Sequence, residues 1–104
     1  ANNKDGQAAA WSGTGIVLRC LCRYDAAVSA GRRAVSMLEN LGDLTSTGEA
    51  LGELAETLRV ADADIVKVSE IWFLSADFYR KAGASEEAAC AYEKAMQAGP
   101  GQEP

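Results

Sequence analysis

Apolar side chains recur every three or four residues in five stretches of the chain, a spacing that predicts amphipathic helices. The predicted helices cover about residues 7–22, 25–42, 47–60, 65–82 and 85–98. Residues that start or stop helices separate them, such as Asp25 and Ser85 at two starts and Gly42 and Gly83 at two ends. The pattern predicts one all-α domain of about five antiparallel helices over residues 1–104, with loose ends at 1–6 and 99–104.

Two of the predicted helices have unusual side-chain patterns. The fourth is apolar over more than half of its circumference, so it is expected to be the central helix of the domain. The first contains Gly13 and Gly15, and each glycine costs roughly 1 kcal/mol relative to alanine inside a helix. We therefore expect a neighbouring element to approach the backbone of this helix closely.

The charge pattern excludes some partners. A formal net charge of -5 argues against a nucleic-acid surface, because phosphate binding requires a positive footprint. The charge is unevenly distributed: residues 1–34 hold five basic and two acidic groups, and the remainder holds five basic and thirteen acidic groups. This asymmetry is interpreted either as a solvated surface or as a guide for a partner or a neighbouring subunit.

No residue pattern in the chain predicts catalysis, a cofactor or a metal site. The chain has three cysteines, interpreted as reduced thiols, and no histidine for a zinc site. The glutamates at 49, 53, 56, 86 and 87 lack a Glu-x-x-His partner pattern and are interpreted as solvated faces. There is no apolar run of about 18 residues and no signal-peptide pattern, so a cytoplasmic protein without membrane contact is expected.

Residues 69–102 read SEIWFLSADFYRKAGASEEAACAYEKAMQAGPGQ and resemble one tetratricopeptide repeat over its full 34-residue length. The resemblance is carried by large, small and aromatic residues of two helices and by the glycine and proline that follow them: Trp72, Ala76, Tyr79, Gly83, Ala88, Tyr92, Ala95 and Pro100. In such a repeat the small residues let two antiparallel helices touch, and the aromatic residues fill the gaps around them.

Residues 8–41 resemble a second, weaker copy of the same repeat. Its core positions repeat the mutual spacings of the first copy: Trp11, Gly15, Leu18, Ala27 and Ala34. Gly31 departs from the family pattern, because it replaces the aromatic residue that Tyr92 supplies in the other copy. We therefore expect the first hairpin to be less well filled.

The resemblance implies a right-handed α-solenoid of helical hairpins, whose first helices line a concave groove that binds a peptide or helix of a partner protein. Modules of this family act as adaptors, co-chaperones or regulatory scaffolds. Carried over by position, the groove residues are Ser12, Ile16, Arg19, Glu56, Arg59, Phe73, Asp77, Arg80 and Lys81. The four cations of this set are expected to form a positive strip, with Ile16 and Phe73 as apolar anchors, which favours a carboxylate-bearing partner. The alternative is that these cations are solvated charges near helix C-termini.

Five helices do not make three complete hairpins. Either the third helix is an unpaired spacer, or the fourth helix packs into two hairpins, and we favour the second arrangement. The competing hypothesis for function is structural: the apolar excess of the fourth helix drives homo-oligomerisation, or the chain packs within a larger helical repeat protein, since short repeat arrays are marginally stable.

Overall fold

The computed structural model describes residues 4–98 and confirms the all-α prediction, with five helices and no strand in that range. The helices are α1 (Lys4–Cys20), α2 (Tyr24–Leu41), α3 (Leu44–Val60), α4 (Ile65–Lys81) and α5 (Ser85–Ala98). Of the ends expected to be loose, residues 4–6 belong to α1, whereas 1–3 and 99–104 lie outside the described residues. Pro100 of the repeat pattern also lies outside them.

The helices α1, α2, α3 and α4 end in the same way. A residue one or two positions beyond the end of each helix adopts a left-handed backbone: Cys22, Gly42, Asp62 and Gly83, with φ between 61° and 79°. The backbone N–H of the next residue then reaches back to the carbonyl of the last helical turn, as in the bond from Asp43 N–H to Leu38 O at 3.2 Å. Every connection is therefore short, and each helix must fold back against the one before it.

Contacts between neighbours show that consecutive helices are antiparallel. Ser75, late in α4, donates its hydroxyl hydrogen to the carbonyl of Gly48, early in α3, at 2.7 Å. Ser69, early in α4, does the same to the carbonyl of Ala95, late in α5, at 2.8 Å. Helix α4 thus packs against both α3 and α5, so α3 is not an unpaired spacer.

The central helix is α3, which corrects the expectation that α4 would be central. Helix α3 packs between α2 and α4 and also touches α1, and most of its middle, including Leu51, Leu54 and Leu58, is buried. Helix α4 has more large apolar residues but fewer neighbours, so Phe73 and Leu74 stay exposed. Apolar content alone therefore did not predict which helix has the most neighbours.

Glycines let two aromatic rings lie directly on α3. A Cβ atom added to Gly48 would be 3.1 Å from the ring of Tyr79, and one added to Gly52 would be 3.1 Å from the ring of Trp72. Both distances are shorter than ordinary carbon contacts. In α1, Gly15 meets the expected close neighbour, because its Cβ would be 3.4 Å from the Ala27 carbonyl oxygen. Gly13 has no such neighbour within 4 Å.

The residues expected to form the repeat core divide into three groups. The buried ones are Gly15, Ala27, Ala34, Trp72, Ala76, Ala88 and Ala95, and the partly buried ones are Leu18 and Tyr79. The expected burial of Trp11 and Tyr92 is not found, because both lie at outer edges of the helix row, where no further described helix covers them. The Trp11 ring lies 4.8 Å from the Arg33 guanidinium, and Tyr92 packs edge-on against Phe73.

Candidate binding groove

A groove of about 980 Å³ runs along one face of the helix row. Its walls come mainly from α1, α3 and α5, and Trp72, Ser75 and Tyr79 of α4 reach its floor between α3 and α5. Helix α2 contributes only Leu38 among the described lining residues. Since consecutive helices alternate between the two faces of the row, the odd-numbered helices form the groove side and the even-numbered ones form the back.

This alternation divides the residues that the sequence placed in one groove. Four of them line the groove: Ser12, Ile16, Arg19 and Glu56. The other five are absent from the described lining residues: Arg59, Phe73, Asp77, Arg80 and Lys81. The expectation treated α1 and α4 as equivalent first helices. Because successive helices alternate between the two faces of the row, α1 lies on the groove side and α4 on the back.

The four cations that were expected to form a positive strip are not brought together. Arg59 lies near the end of α3 and Arg80 near the end of α4, and the ends of antiparallel neighbours point in opposite directions. Each also pairs within its own helix, Arg59 with Glu56 at 2.5 Å and Arg80 with Asp77 at 2.6 Å. Only Arg19 of this set faces the groove.

The charge of the groove is negative instead. Its described lining residues include five carboxylates and two cations: Glu49, Glu53, Glu56, Glu86, Glu87, Arg19 and Lys94. The three glutamates of α3 are spaced by four and three residues, which places them on one face of that helix. The spacing of these three glutamates is visible in the sequence. The charged residues of α5 that face them could be identified only from the way α5 packs.

One end of the groove is purely acidic around Tyr79. Burial raises the pKa of Tyr79 above its ordinary value, and the charges of Glu49, Glu87 and Glu53 raise it further. Among the described residues, Glu49, Glu86 and Glu87 form no ion pair, whereas Glu53 pairs with Arg19. This end therefore carries negative charge that no cation of the described chain neutralises.

The other end of the groove carries both cations and carboxylates, and its cations make hydrogen-bond, ion-pair and cation–π contacts. The Arg19 guanidinium donates to the Glu53 carbonyl at 3.2 Å and lies 3.0 Å from the Glu53 carboxylate, which joins α1 to α3. The hydrogen bond from Arg59 holds the pKa of Glu56 below its usual range, with smaller contributions from the charges of Arg19 and Lys94. The Lys94 ammonium lies 4.9 Å from the Trp72 ring centre, a cation–π contact.

The carboxylates are spread along the groove rather than gathered around one point. No group of three or more acidic or cysteine side chains within residues 4–98 is placed to hold a metal ion. The floor between the carboxylates is partly apolar, with Ile16, Ala50 and Trp72 among its residues. Such a surface complements a chain segment that carries cations on one side and apolar groups on the other.

Within the described part of the chain, no helix combines the length and the apolar character that crossing a bilayer requires. No family model, no curated protein and no solved structure matches the chain.

Proposed function

We propose that this chain is a helical-repeat protein-interaction module whose groove binds a basic, amphipathic helical segment of a partner protein. The observation that carries the proposal is the charge of the groove, five carboxylates against two cations above a partly apolar floor. Opposite charges across an interface guide encounter and select partners, while apolar anchors supply most of the affinity.

The shape of the groove favours a helix over a compact ligand. The wall helices α1 and α3 have 17 residues each, which corresponds to about 25 Å of length at 1.5 Å per residue. A ligand helix of four or five turns matches that length. Apolar side chains at every third or fourth residue of such a helix would contact Ile16 and Trp72, and flanking lysines would approach Glu49 and Glu87.

The tetratricopeptide-like character of the module is part of this proposal. Small residues of the repeat pattern, including Ala76, Ala88 and Ala95, are buried, and α4 packs closely on α5. Helix α3, inserted between the two resembling copies, changes which helices face the groove. The proposed binding residues are therefore those of α1, α3 and α5 rather than the positions carried over to α4, and the proposed partner is basic rather than carboxylate-bearing.

The proposal is tested with a fluorescent peptide that forms an amphipathic helix with lysines on one side and leucines on the other. Changing Glu49, Glu86 and Glu87 together to glutamine is expected to weaken binding about 10- to 100-fold, because three exposed ion pairs contribute up to about 1 kcal/mol each. Fluorescence anisotropy at low salt measures the affinity, and salt is expected to weaken binding to the parent protein.

The matched control removes the same charge elsewhere. Changing Asp25 and Asp62 to asparagine and Glu39 to glutamine alters three exposed carboxylates outside the groove and is expected to change the affinity less than about threefold, since distant surface charges are screened. Circular dichroism checks that both triple variants fold. Equal loss in both variants, or equally tight binding of a peptide with glutamates in place of the lysines, would refute the proposed recognition.

A further inference from the structure

The helix row ends at two edges that no further helix within residues 4–98 covers, and each exposes large apolar side chains. The head edge, on α1 and the turn that follows it, consists of Trp11, Val17 and Leu21, of which Val17 is 58% and Leu21 61% exposed. The tail edge, on α4 and α5, consists of Val66, Phe73, Tyr92 and Met96, and Met96 is 65% exposed. At the tail edge Phe73 packs against Tyr92, and apolar side chains grouped in this way indicate a contact surface rather than scattered exposure.

The head edge carries positive charge. The Arg33 guanidinium lies over the Trp11 ring, and Arg23 follows Leu21 in the turn between α1 and α2. Helix α1 has no charged residue from position 6 to position 18, so no carboxylate interrupts this edge in the middle of the helix. Across residues 4–41 there are five basic and three acidic side chains.

The tail edge carries negative charge. Glu70 lies one helical turn from both Val66 and Phe73, and Glu93 follows Tyr92 on α5. Outside the groove, α4 and α5 carry three acidic and three basic side chains. Arg80 and Lys81 both pair with Asp77, which leaves Glu70, Glu93 and Lys67 without an ion pair among the described residues. Arg80, which donates a hydrogen bond to the Asp77 carboxylate, also lies close to the Tyr92 hydroxyl.

We propose that the head edge of one copy packs against the tail edge of a second copy, so that copies of the chain associate head to tail. A head-to-head or tail-to-tail contact would place like charges opposite one another, which is unfavourable, whereas head-to-tail contact pairs Arg23 and Arg33 with Glu70 and Glu93. Such a heterologous contact repeats from copy to copy and extends the row of helices.

This association is independent of the groove. The four residues of the tail edge and the two most exposed residues of the head edge are absent from the described lining residues of the groove. On α5, Glu87 and Lys94 line the groove, while Tyr92 packs against Phe73 at the edge. Assembly through the edges therefore leaves the groove of each copy open.

Two blocked variants test the inference. Val17→Glu with Leu21→Glu places carboxylates on the head edge, where they would repel the tail edge. Tyr92→Ser with Met96→Ser removes two apolar side chains from the tail edge and leaves its carboxylates in place, so this edge cannot pair with the carboxylates introduced on the head edge. Because all four side chains are exposed, both variants are expected to fold, which circular dichroism and thermal unfolding verify.

Sedimentation velocity over a range of protein concentrations, at low and high salt, measures the association. The parent chain is expected to grow in mass with concentration and to dissociate at high salt. Each blocked variant alone is expected to remain monomeric. An equimolar mixture of the two is expected to form a dimer and nothing larger, since one intact head meets one intact tail and the remaining edges are blocked.

Three results would overturn the inference. The first is a parent chain that stays monomeric at every concentration. The second is a blocked variant that still dimerises on its own, which would indicate a symmetric contact. The third is a mixture of the two blocked variants that stays monomeric. None of these results affects peptide binding in the groove, which is measured with each variant at concentrations where all are monomeric.

Discussion

Trp72→Ala is expected to lower the free energy of unfolding by about 3–5 kcal/mol, the range found when a buried aromatic side chain is truncated. Trp72 is 9% exposed and belongs to the cluster that includes Leu54, Leu58 and Ala95, so its removal leaves a cavity among α3, α4 and α5. For a small domain this loss is a large fraction of the total stability.

Trp11→Ala is the matched control, because the repeat pattern assigns both tryptophans the same position. Trp11 is 36% exposed and lies against one neighbouring helix and the Arg33 guanidinium, so its truncation is expected to cost about 1 kcal/mol. Urea unfolding of the two variants measures both losses, provided that the dependence on urea concentration is unchanged. Equal losses for the two tryptophans would contradict the packing described for α4.

Gly48→Ala combined with Gly52→Ala is expected to lower the free energy of unfolding by about 2 kcal/mol, although alanine is a better helix former than glycine. Each new methyl group would lie 3.1 Å from an aromatic ring, Tyr79 in one case and Trp72 in the other. Rings held between α3 and α4 cannot move away as easily as the end of a flexible chain, so the helices must separate.

Gly13→Ala is the control for this pair and is expected to act in the opposite direction. No atom lies within 4 Å of its added methyl group, so only the helix preference remains, and it favours the variant by roughly 1 kcal/mol. Thermal unfolding of the double variant and of Gly13→Ala measures both shifts. A gain in stability for all of these changes would show that the two rings do not lie on the glycines of α3.

The same contacts are open to a double-mutant test. If the Gly48 methyl group acts through the ring, Gly48→Ala should cost less in a Tyr79→Ala background than in the parent chain. An unchanged cost would place the origin of the effect elsewhere.

Local sequence features placed the helices well because each helix boundary depends on a few neighbouring residues. Gly42 and Gly83 end α2 and α4 in the left-handed conformation that glycine adopts easily, and the Asp64 side chain accepts a hydrogen bond from Val66 N–H at the start of α4. The predicted range of 65–82 for the fourth helix differs from Ile65–Lys81 by one residue, whereas the first and third helices start three residues earlier than predicted and Arg23, not Asp25, precedes α2 as its N-cap. Periodicity and helix ends are encoded within a turn or two of the chain.

The position of a helix among its neighbours is not encoded in this way. Helix α3 is central, yet several of its buried positions are small: Gly48, Ala50 and Ala55. Small residues contribute little apolar surface, but they let neighbouring helices pack closely. The apolar excess of α4 instead reflects edges that stay exposed, as at Phe73. Burial depends on how many helices surround a segment, and the apolar pattern of that segment does not report this number.

For the candidate groove too, the local side-chain pattern could be predicted from the sequence, whereas the arrangement of the helices around it could not. The stripe of Glu49, Glu53 and Glu56 was visible from spacing, but its meaning depends on α5, which brings Glu87 and Lys94 to the opposite wall. The resemblance between the two repeat copies could not indicate which faces they present, because that depends on the number of helices between them. With α3 in the row, the equivalent helices α1 and α4 lie on opposite faces.

The most direct test of the groove is chemical-shift mapping of the ¹⁵N-labelled chain with the basic amphipathic peptide. The largest amide shifts are expected on the groove sides of α1, α3 and α5, at positions such as Ile16, Glu49 and Glu87, with little change at Asp77 and Arg80. Shifts concentrated on the Asp77 and Arg80 face of α4, or no shifts at peptide concentrations that saturate a micromolar site, would contradict the account.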